Sequence, residues 1–193
     1  MSDSILKIQI VAFTTTPNNE TPNQLIKTFL SKYPHQILKE GNSLLTFNMK
    51  LPETNTRLKV LLYLVINLNK EYAGINDSIC NVIFIDNEHE ESKQKFQDIL
   101  TYIKEYCDES KKIYIIAFRK IQSEDSVVLK KKQICAAIDN LKRIYEYNDI
   151  VLDKENDIAE CMYNIMIYCK RIYEGETASQ IKEDDQAKSC CIV

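Results

Sequence analysis

Glycine, histidine and tryptophan are scarce in this chain of 193 residues, which has three glycines, two histidines and no tryptophan. A loop that wraps phosphate groups with its backbone needs glycines close together. Gly41, Gly74 and Gly175 lie far apart, so the chain contains no glycine-rich phosphate cradle. His35 and His89 stand in polar segments without an obvious setting for a serine or cysteine nucleophile. We therefore expect neither a metal site nor a catalytic triad.

A basic excess and a long apolar run are also missing. The formal net charge is -3 and the pI is about 5.5, whereas proteins that bind nucleic acid normally carry an excess of positive charge. No run approaches the roughly 20 apolar residues that span a membrane. The start, "MSDSILKIQIVAF", lacks the regions of a signal peptide. We expect no nucleic-acid partner and a cytosolic chain, unless a covalent group tethers it to a membrane.

Apolar residues make up 45% of the chain and charged residues 27%, which suits one compact domain with a substantial core. The cysteines are odd in number and have no C-x-x-C spacing, so we expect the first five to be reduced core or helix-face residues. The seven are Cys80, Cys107, Cys135, Cys161, Cys169, Cys190 and Cys191.

Hydrophobic periodicity predicts strands that alternate with helices. The strand-like runs are residues 7–13, 44–51, 57–67, 81–86, 112–118 and 149–152, and the helical runs are 22–33, 91–107, 133–147 and 157–174. The turn-rich "PETNT" joins the second and third strands as a hairpin. The pattern predicts an α/β, doubly wound, six-stranded and mostly parallel sheet with one antiparallel hairpin and four or five helices. We assign residues 1–175 to this domain and 176–193 to a flexible polar tail.

The combination of one hairpin among parallel strands, a loop after the first strand, a long final helix, a polar tail and terminal cysteines resembles the Ras superfamily of small GTPases, especially its Rab-like members. The resemblance covers residues 5–193 in element order and length. It implies the small-GTPase fold and a site for GTP or GDP with Mg²⁺ between the loops that follow the strands. The motifs that form this site in the family are altered here.

The phosphate loop of the family reads G-x-x-x-x-G-K-[ST]. The corresponding stretch here is "FTTTPNNETPNQLIKTFL" (13–30), in which the resemblance sets Thr21 and Pro22 against the glycine and the lysine. Proline supplies neither an amine nor a backbone N–H. Lys27 is a weak substitute because it would have to reach back from beyond the first helical turn. The residues of this degenerate phosphate loop are Asn19, Glu20, Thr21, Pro22 and Asn23.

The two switch motifs are altered as well. Lys39 stands near the place of the magnesium-binding threonine, although magnesium prefers oxygen ligands, and Gly41 is interpreted as a turn residue. The segment "EYAG" imitates the D-x-x-G spacing with Glu71 and Gly74, both weak nucleotide candidates. No glutamine follows Gly74 to position an attacking water, so hydrolysis by the family mechanism is not expected.

The base-reading motif N-K-x-D is replaced by Phe118, Arg119, Lys120 and Ile121. Isoleucine cannot accept a hydrogen bond from guanine, so we expect no guanine specificity and no bound cofactor. In the segment "DKEN", where the family has S-A-K, Asp153 is interpreted as the N-cap of the last helix.

The chain as given ends in Cys190-Cys191-Ile192-Val193, which fits both C-a-a-X and the C-C-x-x ending of Rab proteins. The resemblance implies prenylation of Cys190 and Cys191, a membrane-anchored pool and a cytosolic pool, with prenyl-binding chaperones and effector-like proteins as partners. Because the tail has more acidic than basic residues, we expect two lipids rather than one lipid plus positive charge. The alternative is that the cysteine pair is accidental.

A basic cluster is predicted from "LKKKQ" (129–133), "FRK" (118–120) and the pair Lys111 and Lys112. It is interpreted as a solvated surface, with docking to an acidic partner or a lipid headgroup as the alternative.

The leading hypothesis from the sequence is a prenylated Rab-like or Ras-like pseudo-GTPase that acts in recruitment or scaffolding. One alternative is a divergent active GTPase that uses Lys27 or backbone donors and binds GTP or GDP with Mg²⁺. Another is a soluble α/β binding domain without a lipid anchor.

Overall fold

The computed structural model describes residues 5–16, 20–54, 56–65, 68, 75–120, 127–176 and 180–181. Within them the chain forms seven strands and four helices. The strands are β1 (Ile5–Thr14), β2 (His35–Glu40), β3 (Leu44–Lys50), β4 (Arg57–Val65), β5 (Cys80–Asp86), β6 (Ile113–Arg119) and β7 (Tyr145–Val151). The helices are α1 (Glu20–Ser31), α2 (Ser92–Tyr106), α3 (Lys131–Asp139) and α4 (Glu155–Tyr173).

The strands form one mixed and mostly parallel sheet in the order β2-β3-β4-β1-β5-β6-β7. Strands β4, β1, β5, β6 and β7 run parallel to one another. The hairpin predicted at "PETNT" is confirmed as β3 and β4, and β2 adds a second antiparallel pair at the edge. The predicted number of six strands is therefore wrong. All residues of β2 are exposed, so it lacks the buried alternation by which a strand is recognised in a sequence.

Helices cover the sheet from both faces because the buried side chains of each central strand alternate in direction. On β1, Ile8, Ile10 and Ala12 belong to the core under α1 and α4. Val11 and Phe13 belong to the core under α2 and α3. The continuous apolar runs of β5 and β6 follow from this two-sided burial.

The predicted helix over residues 133–147 is wrong in its second half. Helix α3 ends at Asp139, and β7 begins at Tyr145. Lys142 lies between them with a φ of 53°, a left-handed conformation that cannot continue a helix. The N-cap predicted at Asp153 is also wrong, because Lys154 occupies that position and no side chain caps α4.

The predicted surface basic cluster does not form, because its lysine pair is buried. Lys111 donates to the carbonyl oxygens of Ile75 and Asn76 at 2.9 and 2.6 Å, and Lys112 pairs with Glu146 at 2.8 Å. Burial lowers the pKa of Lys111. These amines connect loops and strands at the amino-terminal edge of the parallel strands, and so they contribute to the fold rather than to an exposed surface.

Candidate functional site

The candidate site lies at the carboxyl ends of β1 and β5, which are parallel neighbours at the centre of the sheet. The chain leaves β1 towards α1 on one face and leaves β5 towards α2 on the other. In open α/β sheets, ligands bind in the crevice where two such connections diverge. This is also where the sequence analysis predicts the degenerate phosphate loop.

Thr14 ends β1, and the backbone donors of the two threonines that follow it are engaged within the protein. The N–H of Thr15 donates to the carbonyl oxygen of Phe84 at 3.0 Å. The N–H of Thr16 donates to Oγ1 of Thr14 at 3.1 Å, and the hydroxyls of Thr14 and Thr16 are 2.7 Å apart. Phosphate loops bind anions through unengaged backbone N–H groups. The first two such donors after Thr14 are not available for that role.

The side chain of Thr15 connects three elements below the site. Its hydroxyl accepts a 2.9 Å hydrogen bond from the N–H of Asp86 and donates one of 3.0 Å to Oγ of Ser92. Thr15 is 1% exposed and Ser92 is fully buried. Sequence reasoning missed this connection. In the sequence, the only indication of these hydrogen bonds is a run of hydroxyl side chains at the end of a buried strand.

Helix α1 begins at Glu20 with an acidic first turn. The amino end of a helix attracts anions through its dipole and free N–H groups, but a glutamate there competes with a ligand phosphate. Pro22 is buried in the same turn and has no N–H to offer. Thr21 and Asn23 are half-buried beside it, and Asn19 lies outside the described residues.

Lys27 points away from the phosphate-loop position. Its Nζ lies 2.7 Å from Oε1 of Glu40 at the end of β2, and both side chains are about half exposed. Seven residues of α-helix place Lys27 about 10 Å along the axis from Glu20. This geometry disfavours Lys27 as a substitute for the family lysine.

A cavity of about 240 Å³ opens at the carboxyl edge of the sheet. Its volume is below the roughly 300 Å³ at which small-molecule sites begin. Among the described lining residues, two carboxylates face one lysine, and this balance of charge disfavours phosphate groups. Oδ1 of Asp86 accepts a 3.2 Å hydrogen bond from the N–H of Glu88, and this bond orients the Asp86 carboxylate in the cavity wall. The lining residues are Thr21, Asp86, Glu88, His89, Phe118, Lys120 and Leu152. Sequence reasoning did not single out Asp86 or Glu88.

The residues at the position of the guanine motif make different kinds of contact. Phe118 is 2% exposed, and its carbonyl oxygen accepts the N–H of Asn87 at 2.9 Å. Arg119 pairs with Asp149 at 3.1 Å. Of the described motif residues, Phe118 and Lys120 line the cavity. Neither of these two can accept hydrogen bonds from a guanine edge. Ile121 lies outside the described residues.

Other predicted residues are placed as follows. Lys39 is exposed on β2. Gly41 lies in the turn between β2 and β3, where its N–H donates to the carbonyl oxygen of Leu44 at 3.0 Å, so its interpretation as a turn residue is confirmed. Glu71, Gly74, Cys190 and Cys191 lie outside the described residues. The first five cysteines are free thiols, as predicted.

Comparison with known proteins does not identify a family. No protein-family model matches the chain, and no curated protein sequence is significantly similar to it. Among the described residues, no three histidine, cysteine, aspartate or glutamate side chains are grouped so that they could hold a metal ion. In the same part of the chain, no helix has the length and apolar character needed to cross a bilayer.

Proposed function

We propose that this protein is a Rab-like or Ras-like pseudo-GTPase that recruits or scaffolds other proteins at the cytosolic face of a membrane. The observation that carries the proposal is at the phosphate-loop position. There the N–H groups of Thr15 and Thr16 are engaged by Phe84 and Thr14, and the next helix begins with Glu20. An anionic ligand would therefore meet engaged donors and a negative charge.

The arrangement of the elements supports the small-GTPase part of the proposal. Parallel strands lie at the centre, the β3–β4 hairpin lies on one side, and the long α4 packs against the core that contains β1. This agrees with the element order on which the resemblance rests. The edge strand β2 departs from the six-stranded pattern. It belongs to the segment between the first helix and the hairpin, where the family has its first switch.

The membrane part of the proposal rests on the sequence pattern at Cys190 and Cys191. Two prenyl groups supply stable anchoring, whereas one gives reversible attachment. Effector-like proteins and a prenyl-binding chaperone are the partners that this role requires.

Nucleotide extraction tests the pseudo-GTPase proposal. Protein purified under mild conditions is denatured, and the supernatant is analysed by ion-exchange chromatography. We expect no stoichiometric GDP or GTP. Thermal unfolding with added GDP, GTP and Mg²⁺ provides a second measurement, because a ligand at 100 times its Kd adds about 2.7 kcal/mol of stability. We expect no shift.

Stoichiometric nucleotide would overturn the proposal and favour the divergent active GTPase. In that case Lys27→Ala identifies the donor, because loss of nucleotide in this variant would assign the phosphate contact to Lys27. Retention would assign it to backbone donors.

A further inference from the structure

Within the described residues, the face of the sheet that α2 and α3 cover is open over its other half. The core under these helices includes described residues of β1, β4, β5 and β6, but none of β2 or β3. The amino-terminal half of β1 also contributes nothing to this core. Along these strands, successive side chains alternate between the core under α1 and α4 and this open face, where they point outward.

Four cations lie next to one another on this open face: Lys7, Lys50, Arg57 and Lys59. Lys7 is the Cα partner of Lys59 across β1 and β4. Lys50 is the Cα partner of Arg57 across β3 and β4. Like charges at directly opposite positions destabilise a sheet. The Lys7–Lys59 pair therefore costs folding free energy, which a bound anion would offset.

Strand alternation brings no carboxylate onto this face of β1, β3 or β4. The neighbours of the cations there are amides, hydroxyls and apolar groups, and Lys7, Lys50 and Lys59 form no ion pair with any other described residue. In a chain of formal charge -3, this separation of positive charge creates a local attraction for anions.

Exposed apolar side chains border the cations. Ile5, which is the Cα partner of Arg57, is 50% exposed. Leu61, two residues after Lys59 on β4, is half-buried on the same face. Positive charge beside exposed aliphatic groups is typical of surfaces that bind anionic lipid, because the cations contact headgroups and the apolar groups enter the interface.

A cavity of about 290 Å³ opens at the same corner, with Ile5, Asn48, Lys50 and Arg57 in its wall. Oδ1 of Asn48 is buried and has no hydrogen-bond partner among the described residues.

We propose that Lys7, Lys50, Arg57 and Lys59 form a docking surface, here named the basic sheet face, for the anionic phospholipid headgroups of a membrane. An acidic protein segment would satisfy the cations but leave the aliphatic groups exposed. This inference goes beyond the scaffolding role, and it depends on neither the nucleotide site nor the terminal cysteines.

Vesicle binding of the unmodified full chain tests the inference. The protein is sedimented with vesicles of phosphatidylcholine alone or mixed with phosphatidylserine, and we expect preferential binding to the mixed vesicles that weakens as salt is added. Each cation near an anionic surface contributes roughly fivefold to binding. The double substitution Lys7→Gln and Lys59→Gln should therefore weaken binding about 25-fold.

The matched control is Lys93→Gln with Lys132→Gln, which makes the same change of net charge at exposed positions on α2 and α3. We expect this pair to bind like the unchanged protein. Urea unfolding of both pairs checks that they fold, and removal of the Lys7–Lys59 repulsion should not lower stability.

Three results would overturn the inference. They are equal binding to neutral and mixed vesicles, equal loss in the two double variants, and binding to soluble polyglutamate or an oligonucleotide without binding to vesicles. The last result would assign the basic sheet face to an acidic protein or to nucleic acid. Since no variant alters the nucleotide site, the outcome is separable from that of nucleotide extraction.

Discussion

The backbone N–H of Asp86 donates a 2.9 Å hydrogen bond to the hydroxyl oxygen of Thr15, across the carboxyl ends of β1 and β5. These two strand ends border the crevice where an α/β sheet of this topology binds its ligands. The contact lies under the threonine turn and is continued to Ser92 at the start of α2. The Thr15 hydroxyl therefore joins two strands and a helix beneath this crevice.

Thr15→Val should destabilise the fold by about 1–3 kcal/mol, because an isosteric methyl group leaves the buried Asp86 N–H and Ser92 hydroxyl without this partner. Urea unfolding at neutral pH measures the loss. Thr101→Val is the matched control, since Thr101 is exposed and bonds only the carbonyl oxygen of Gln97 in its own helix. Equal effects of the two substitutions would contradict a role for Thr15 in joining the elements.

Arg143→Met should cost about 3 kcal/mol, because the buried guanidinium donates to carbonyl oxygens at the carboxyl end of α2. The acceptors are Ile103, Cys107 and Asp108 at 3.2, 2.5 and 2.8 Å. Thermal and urea unfolding measure the change. Lys93→Met, at an exposed position on α2, should change stability by less than about 0.5 kcal/mol.

Arg143→Lys tests how much of the stabilisation at the carboxyl end of α2 comes from the positive charge and how much from the planar guanidinium. A lysine keeps the positive charge but has no planar fork to reach several carbonyl oxygens. We expect an intermediate loss of stability. A loss equal to that of Arg143→Met would show that the positive charge contributes nothing.

Alkaline pH should destabilise the protein. Burial raises the pKa of Cys107 to about 11 and the pKa values of Tyr147 and Cys161 to about 12. The unfolded chain releases these protons first, so the stabilisation is complete below about pH 9 and is lost as pH rises through the folded-state values. Lys111, whose pKa burial lowers, acts in the opposite sense.

Cys107→Ala isolates the contribution of one thiol to this pH dependence. The slope of unfolding free energy against pH should become less negative between about pH 9 and 11. Urea midpoints at several pH values give the slope for both proteins. An unchanged slope would exclude Cys107 as a contributor.

Expression of the full chain in a eukaryotic host should yield a protein whose intact mass includes prenyl groups on Cys190 and Cys191. Substitution of both cysteines by serine should abolish the mass increase and reduce the share of the protein in the membrane fraction. Unmodified cysteines, with Ile192 and Val193 retained, would exclude the lipid anchor while leaving the basic sheet face to be tested separately.

Much of the architecture could be predicted because the central strands are buried on both faces. The predicted strand over 81–86 corresponds to β5 (Cys80–Asp86), and that over 112–118 corresponds to β6 (Ile113–Arg119). Strand β2 could not be predicted, because none of its side chains is buried. The end of α3 was missed because the reversal at Lys142 uses a lysine in a conformation for which glycine is the usual signal.

The candidate site could be predicted only in part. Residue type alone predicts that Glu20 and Pro22 oppose phosphate binding, and the structure places both in the first turn of α1. The engagement of the Thr15 and Thr16 donors was not recognisable, because it depends on Phe84 and on the conformation of the turn. The pairing of Lys27 with Glu40 also depends on where β2 runs.

By itself the sequence determined the alternation of strands and helices and the absence of a glycine-rich phosphate cradle, because local periodicity and residue type are sufficient for both. Only the tertiary structure decided which donors are engaged, where Lys27 points and that four cations meet on one open face. Those relationships join residues that are distant in the chain. Strand order and register, which arise from the packing of the whole sheet, bring them together.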